Sequence, residues 1–131
     1  MNYRFPKNER LHAQKLIKEL FNEGSSFFLY PFKVLYLEKN TLDCHQVLIS
    51  ISKKKIKKAV HRNQLKRKIK ESYRLNKHSL QSEERLALIG LIYVGSGLMD
   101  FRELEDKIKL ILMKLQTVLS PKNETNEDKK K

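Results

Sequence analysis

The sequence predicts an α+β fold, a two-layer α/β sandwich in the order α-β-β-(β)-α-β-α around a mixed sheet. Three observations predict it. Apolar residues recur at helical spacing in three stretches, 12–23, 60–76 and 100–119. Short runs rich in aromatic and β-branched residues lie between them, at 27–38, 45–52 and 85–95. The 131 residues, 40% of them apolar, suffice for one core, and no linker divides them. Residues 1–119 are expected to form a single domain and 120–131 a disordered polar tail.

Residues 1–11, with Pro6, read as an extended lead-in. Between His12 and Glu23, Ala13, Leu16, Ile17, Leu20 and Phe21 make one apolar stripe, so a helix is expected. Gly24 suits a left-handed cap after it. Phe32 to Glu38 alternates as a strand, with Phe32, Val34 and Tyr36 on one face and Lys33, Leu35 and Leu37 on the other. A further strand is possible around 27–31. The 39–43 stretch "KNTLD" reads as a turn, and "HQVLISIS" (45–52) as a strand that pairs with 32–38 in an antiparallel hairpin. A helix follows over 60–76. The near-continuous apolar run 85–95 fits a strand buried on both faces. The last helix is capped by Asp100 or Ser96, has Leu104, Ile108, Ile111, Leu112 and Leu115 as its core stripe, and stops at Pro121.

Charge narrows the class of partner. The formal net charge is +13. Residues 53–78 hold twelve Lys or Arg against one acid, Glu71, so a net +11 sits in one fifth of the chain. An ordinary solvated surface intersperses both signs, whereas such a concentration attracts polyanions. A membrane-surface role fits poorly, because the basic helix has few large apolar residues to insert. The longest apolar run is too short to span a bilayer, and a single cysteine, Cys44, rules out an intrachain disulfide; a cytoplasmic protein is expected.

At ~3.6 residues per turn, the basic helix has two faces. Leu65, Ile69, Ser72 and Tyr73 share one, suited to packing on the sheet. Asn63, Lys66, Arg67, Lys70 and Arg74 share the other, with Lys68 at the far margin. Like charges four residues apart repel by a few tenths of a kcal/mol per pair, so this stripe makes sense with an external polyanion. Arg forks onto phosphate oxygens, Lys acts as a point charge, and Asn63 can reach a sugar hydroxyl or base edge. The aromatics Phe21 and Tyr36, with Val34, offer stacking surfaces for unpaired bases, so single-stranded RNA fits better than a duplex.

Catalytic machinery is not evident. The four Asp (43, 100, 106, 128) lie away from the basic helix and His12, His45, His61 and His78 are scattered, so no two-metal nuclease site is expected. Cys44-His45 has no CxxC partner for zinc. His61 lacks an evident carboxylate to orient it, and no phosphate-binding glycine loop occurs. The residues alone describe an RNA-binding domain with no catalytic residue and no metal site of its own.

"SISKKKIKKAVHRNQLKRKIKESYR" (50–74) resembles the signature of the protein subunit of bacterial ribonuclease P, in which Ser-x-Ser-Lys-Lys leads into an Ala-Val-x-Arg-Asn-Arg-x-Lys-Arg helix. The resemblance extends to "RLHAQKLIKELFNEGSSF", "VLYL", the buried strand and "FRELEDKIKLIL", covering most of residues 9–115. It implies a left-handed β-α-β crossover in the sheet. It also implies that the ribonuclease P RNA cleaves the 5′ leader from precursor tRNA using magnesium held by the RNA, while the protein binds no cofactor, membrane or DNA. Carried over by position, the RNA-binding residues are Lys53, Lys54, Arg62, Asn63, Lys66, Arg67 and Lys70, joined by Arg74 from the stripe. The leader cleft would comprise Ile17, Phe21, Val34 and Tyr36. Three departures stand out. Gln64 replaces the second Arg of the signature, and Ile17 stands where the family often has Phe. The 55–58 loop is longer by one and more basic, so Lys57 and Lys58 are expected to replace some of the lost contact. The alternative is a non-enzymatic ribosomal or RNA-chaperone protein of similar fold.

Overall fold

The structure is a computed structural model that describes residues 5–80 and 85–119. After a short 3-10 turn at Lys7–Glu9, the elements are α1 (Gln14–Glu23), β1 (Ser25–Leu29), β2 (Phe32–Glu38), β3 (Gln46–Ile51), α2 (Ala59–Asn76), β4 (Ala87–Tyr93) and α3 (Phe101–Val118). A second 3-10 turn, Lys77–Ser79, follows α2. The four strands form one mixed sheet in the order β1-β2-β4-β3. The tail 120–131 and the end of α3 at Pro121 fall outside the described residues.

The expected hairpin between 32–38 and 45–52 does not form. β4 inserts between these strands, antiparallel to β2 (Leu35↔Gly90) and parallel to β3 (Leu48↔Gly90). The reason is burial. Ala87, Leu88, Ile89, Leu91 and Tyr93 are almost fully buried on both faces of β4, and such a strand belongs in the middle of a sheet. The 39–43 turn instead carries the chain past the end of β4, where Lys39 N–H donates to the Leu86 carbonyl. The true hairpin joins β2 to the additional strand, β1, through Tyr30-Pro31. The β3-α2-β4 unit is a parallel crossover between adjacent strands.

Alternation along the strands sorts their side chains onto two unlike faces. Phe32, Val34, Val47, Ile49, Ile89 and Leu91 pack against Leu65, Ile69 and Tyr73 of α2 and the expected Leu104–Leu115 stripe of α3. This is the anticipated sandwich and holds most of the core. Among the described residues, the one helix on the opposite face is α1, which packs Leu20 against Leu35 and Leu88, with Leu11 of the preceding segment alongside. The first helix is therefore a third, partial layer rather than a member of the main one. Burying Leu20 completely contributes about 1.5–3 kcal/mol.

Two end signals behave differently. The Asp100 carboxylate accepts from the Glu103 N–H at 2.9 Å, so Asp100 rather than Ser96 caps α3. Gly24 is not left-handed, since its φ and ψ are −75° and 157°. Glycine is required there by proximity: a Cβ would lie 2.5 Å from the Leu20 carbonyl oxygen and 3.0 Å from that of Tyr36. Gly24→Ala is therefore expected to destabilise the fold by about 1–3 kcal/mol. Gly97→Ala, whose Cβ would meet nothing within 4 Å, is expected to be neutral. Urea unfolding of the two variants checks this; equal midpoints would show that the α1–β1 junction relaxes freely.

Candidate nucleic-acid interface

The basic segment begins where β3 ends. Ser52 N–H donates to the Tyr93 carbonyl, tying the strand exit to β4, and Ile56 drops its side chain into the core. Between and beyond these anchors Lys53, Lys54, Lys55, Lys57 and Lys58 are all exposed. The loop is held from α2: Arg62 Nη1 donates to the carbonyls of Ile56 at 2.9 Å and Lys57 at 2.8 Å. Arg62 thus positions the lysine loop, and the remaining guanidinium donors stay available for a ligand.

Along α2 the expected inner face is confirmed, since Leu65, Ile69, Ser72 and Tyr73 are its buried residues. Lys68 reaches Met99 O at 3.4 Å on the other margin. The residues of the outer stripe have four settings. Asn63 and Lys66 line a cleft of about 430 Å³. Lys66 also joins Lys70, Arg10 and Phe5 around a smaller cavity of about 170 Å³ along β3. Arg67 is exposed. Arg74 pairs with Glu71 at 2.6 Å, so the one local acid offsets part of the repulsion. That bond holds the Glu71 carboxyl below its usual range. Its contribution is therefore present above the unfolded value and lost as pH falls through the lowered one.

The larger cleft lies between α1, β3 and the start of α2. Ile17 and Phe21 form one wall, Leu48 and Ser50 lie on β3, and Lys53, Arg62, Asn63 and Lys66 form the basic wall. Phe21 is 51% exposed, with its ring available to a ligand in the cleft. Of the expected leader-cleft residues, Ile17 and Phe21 share this cleft with the basic residues.

Val34 and Tyr36 do not. Val34 is fully buried, and Tyr36 packs on the same α2–α3 side, its ring 6.1 Å from that of Phe27. Phe27 in turn lies beneath Lys114 of α3. A one-residue change of register moves a strand's whole side-chain set to the other face, and β2 presents Lys33 and Leu35, not Val34 and Tyr36, on the side of the cleft. Sequence reasoning also missed Ser50 and Leu48. The polar Ser50 between Ile49 and Ile51 was the signal that this face is not fully covered.

The remaining candidates for chemistry have structural settings. His45 Nδ1 accepts from the Ala87 N–H at 3.2 Å, holding the start of β4. Cys44 donates to the Asn8 carbonyl, and burial pushes its thiol pKa up. Among the described residues no three His, Cys, Asp or Glu come together as ligands. No described helix is long and apolar enough to cross a membrane.

Residues 5–116 match the family model described as Ribonuclease P. The ribonuclease P protein component of Porphyromonas gingivalis strain W83 is 36% identical over 115 residues, covering 83% of this chain and 84% of that protein. The Dictyoglomus turgidum component is 34% identical over 115 residues, covering 86% and 90%. Among solved structures, the RNase P protein from Thermotoga maritima superposes with a TM-score of 0.68 at 28% identity, covering 81% of this chain and 96% of that one.

Glu71→Gln is expected to release Arg74 and steepen the fall of RNA affinity with salt by about 0.7–0.9 in log–log slope. Titrations at several salt concentrations check this; an unchanged slope would place Arg74 outside the interface.

Proposed function

The chain belongs to the ribonuclease P protein family, and from that premise we propose a division of labour within this tRNA-processing ribonucleoprotein. The basic surface of Lys53, Lys54, Lys57, Lys58, Arg62, Lys66, Arg67, Lys70 and Arg74 binds the ribonuclease P RNA. The cleft between α1, β3 and α2 holds the 5′ leader of precursor tRNA. Hydrolysis of the phosphodiester belongs to the RNA and the magnesium it holds, and no step passes through a protein side chain. The alternative of a free-standing ribosomal or chaperone module gives way to the family assignment.

One observation carries the leader reading. The cleft sets an exposed aromatic, Phe21, and Ile17 opposite Arg62, Asn63 and Lys66. A single strand has both chemistries, flat bases on one side and phosphates on the other, and needs walls of these two kinds. A duplex has its bases stacked inward and would leave the aromatic wall without a partner. The leader is the single-stranded part of the substrate next to the bond that is cut. Gripping it favours precursor over mature tRNA and helps the product leave.

The direct test is reconstitution with a bacterial ribonuclease P RNA at low magnesium. The protein is expected to stimulate precursor cleavage, and no stimulation would contradict the proposal. Within that assay Phe21→Ala is expected to weaken precursor binding by roughly 5- to 150-fold, the range for one lost stacking contact, and to leave mature tRNA binding unchanged. Val34→Ala is expected to cost about 2 kcal/mol of stability with no dependence on the leader. If Val34→Ala were leader-selective in a fully folded protein, the position of the cleft would be wrong. Arg67→Ala is expected to flatten the salt dependence by about one ion; an unchanged slope would remove Arg67 from the interface.

A further inference from the structure

The hairpin β1–β2 ends in two exposed aromatic rings that the core does not use. Phe28 is 62% exposed and Tyr30 is 58% exposed, with ring centroids 6.2 Å apart. A single exposed aromatic is ordinary. A pair at one tip, with Phe28 on the side of the sheet that bears the cleft and Tyr30 beside it, is not accounted for by packing.

The sheet register shows how this tip relates to the cleft. Phe28 lies opposite Lys33, Lys33 opposite Ile92, and Ile92 opposite Ser50. Paired residues point to one face, and this is the face of Leu35 and Leu88, on which α1 packs. Helix α1 covers the next rows, where Leu20 sits over Gly90 and Leu35. The row Ser50–Ile92–Lys33–Phe28 therefore starts on the floor of the cleft and ends at the aromatic pair. It spans about 14 Å, three strand spacings of ~4.8 Å. Lys33 is exposed two of the three spacings along it, a point charge suited to a phosphate between two base-stacking ends.

We propose that the β1–β2 hairpin is a second stacking platform, on which leader nucleotides farther from the cleavage site stack after leaving the cleft. The occupant is single-stranded RNA because the surface continues the cleft, carries a cation and offers π-faces without an enclosing pocket. The proposal rests on the leader reading above, and its test separates the two.

The experiment measures affinity of the reconstituted holoenzyme for precursor tRNAs with a graded series of leader lengths. Wild type, Phe21→Ala and the double variant Phe28→Ala/Tyr30→Ala are compared, with thermal unfolding and sedimentation of each. Wild-type affinity is expected to rise in two increments as the leader lengthens. The double variant is expected to lose only the second, about tenfold, and Phe21→Ala to lose the first. Conservative Phe28→Tyr/Tyr30→Phe is expected to restore the second increment. A double variant that binds long leaders as wild type does would overturn the platform and leave the cleft standing. Equal loss at every length would overturn it too, because the hairpin would then act through the fold. A changed oligomeric state with an unchanged leader profile would assign the tip to a second copy of the chain instead. A wild type indifferent to any leader would overturn the leader reading itself.

Discussion

Strand β4 hydrogen-bonds to a neighbour on each side, antiparallel to β2 and parallel to β3, and this pairing decides where every other strand residue points. Gly90 sits at the crossing of both registers, with Leu35 on one side and Leu48 on the other. A Cβ there would come within 3.3 Å of Leu20, so the same residue sets how closely α1 approaches. Once β4 is fixed, odd positions of β2 and even positions of β3 must face α1. The other positions must face α2 and α3. The two faces then have different fates. One is sealed by two long helices, and the other is half covered by a short one.

This asymmetry is what makes a binding protein of the fold. The sealed face holds α2 rigidly through Leu65, Ile69 and Tyr73, so the cations on its outer side stand at fixed positions. Their repulsion is relieved locally only in part, by the Arg74–Glu71 pair and by carbonyls accepting from Arg62 and Lys68. A polyanion relieves the rest, and fixed cations keep their geometry for it before it arrives. The half-covered face supplies the complementary element, apolar and aromatic surface beside the same helix. Charge comes from one side of the sheet and apolar and aromatic surface from the other, and they meet at the β3 edge.

Much of this was legible in the residues. The inner face of α2 followed from helical spacing alone, because a solvated helix packed on a sheet has only one face to bury. The doubly buried β4 followed from its apolar run, while the cap of α3 was narrowed only to Asp100 or Ser96, and the hydrogen bond to the Glu103 N–H decides for Asp100. The strand pairing did not follow, because "KNTLD" has every local mark of a hairpin turn and nothing local shows a strand arriving from forty residues later. The error at Val34 and Tyr36 has the same origin. Alternation correctly separated them from Lys33 and Leu35, but only the pairing shows which set faces which helix. Gly24 was recognised as special for the wrong reason, since a close backbone approach leaves no trace distinct from a left-handed turn.

If the leader lies on the α1 face of the sheet, over Ser50, the opposite side of the molecule is remote from it. Tethered cleavage tests this most directly. A chain with Cys44 replaced by Ser would carry a hydroxyl-radical source on a cysteine at position 50, and in a second chain at position 113 on the exposed side of α3. Each would be assembled with ribonuclease P RNA and precursor tRNA. The account predicts cuts in the leader beside the scissile bond from position 50 and none from position 113. Leader cuts from position 113, with none from position 50, would contradict it.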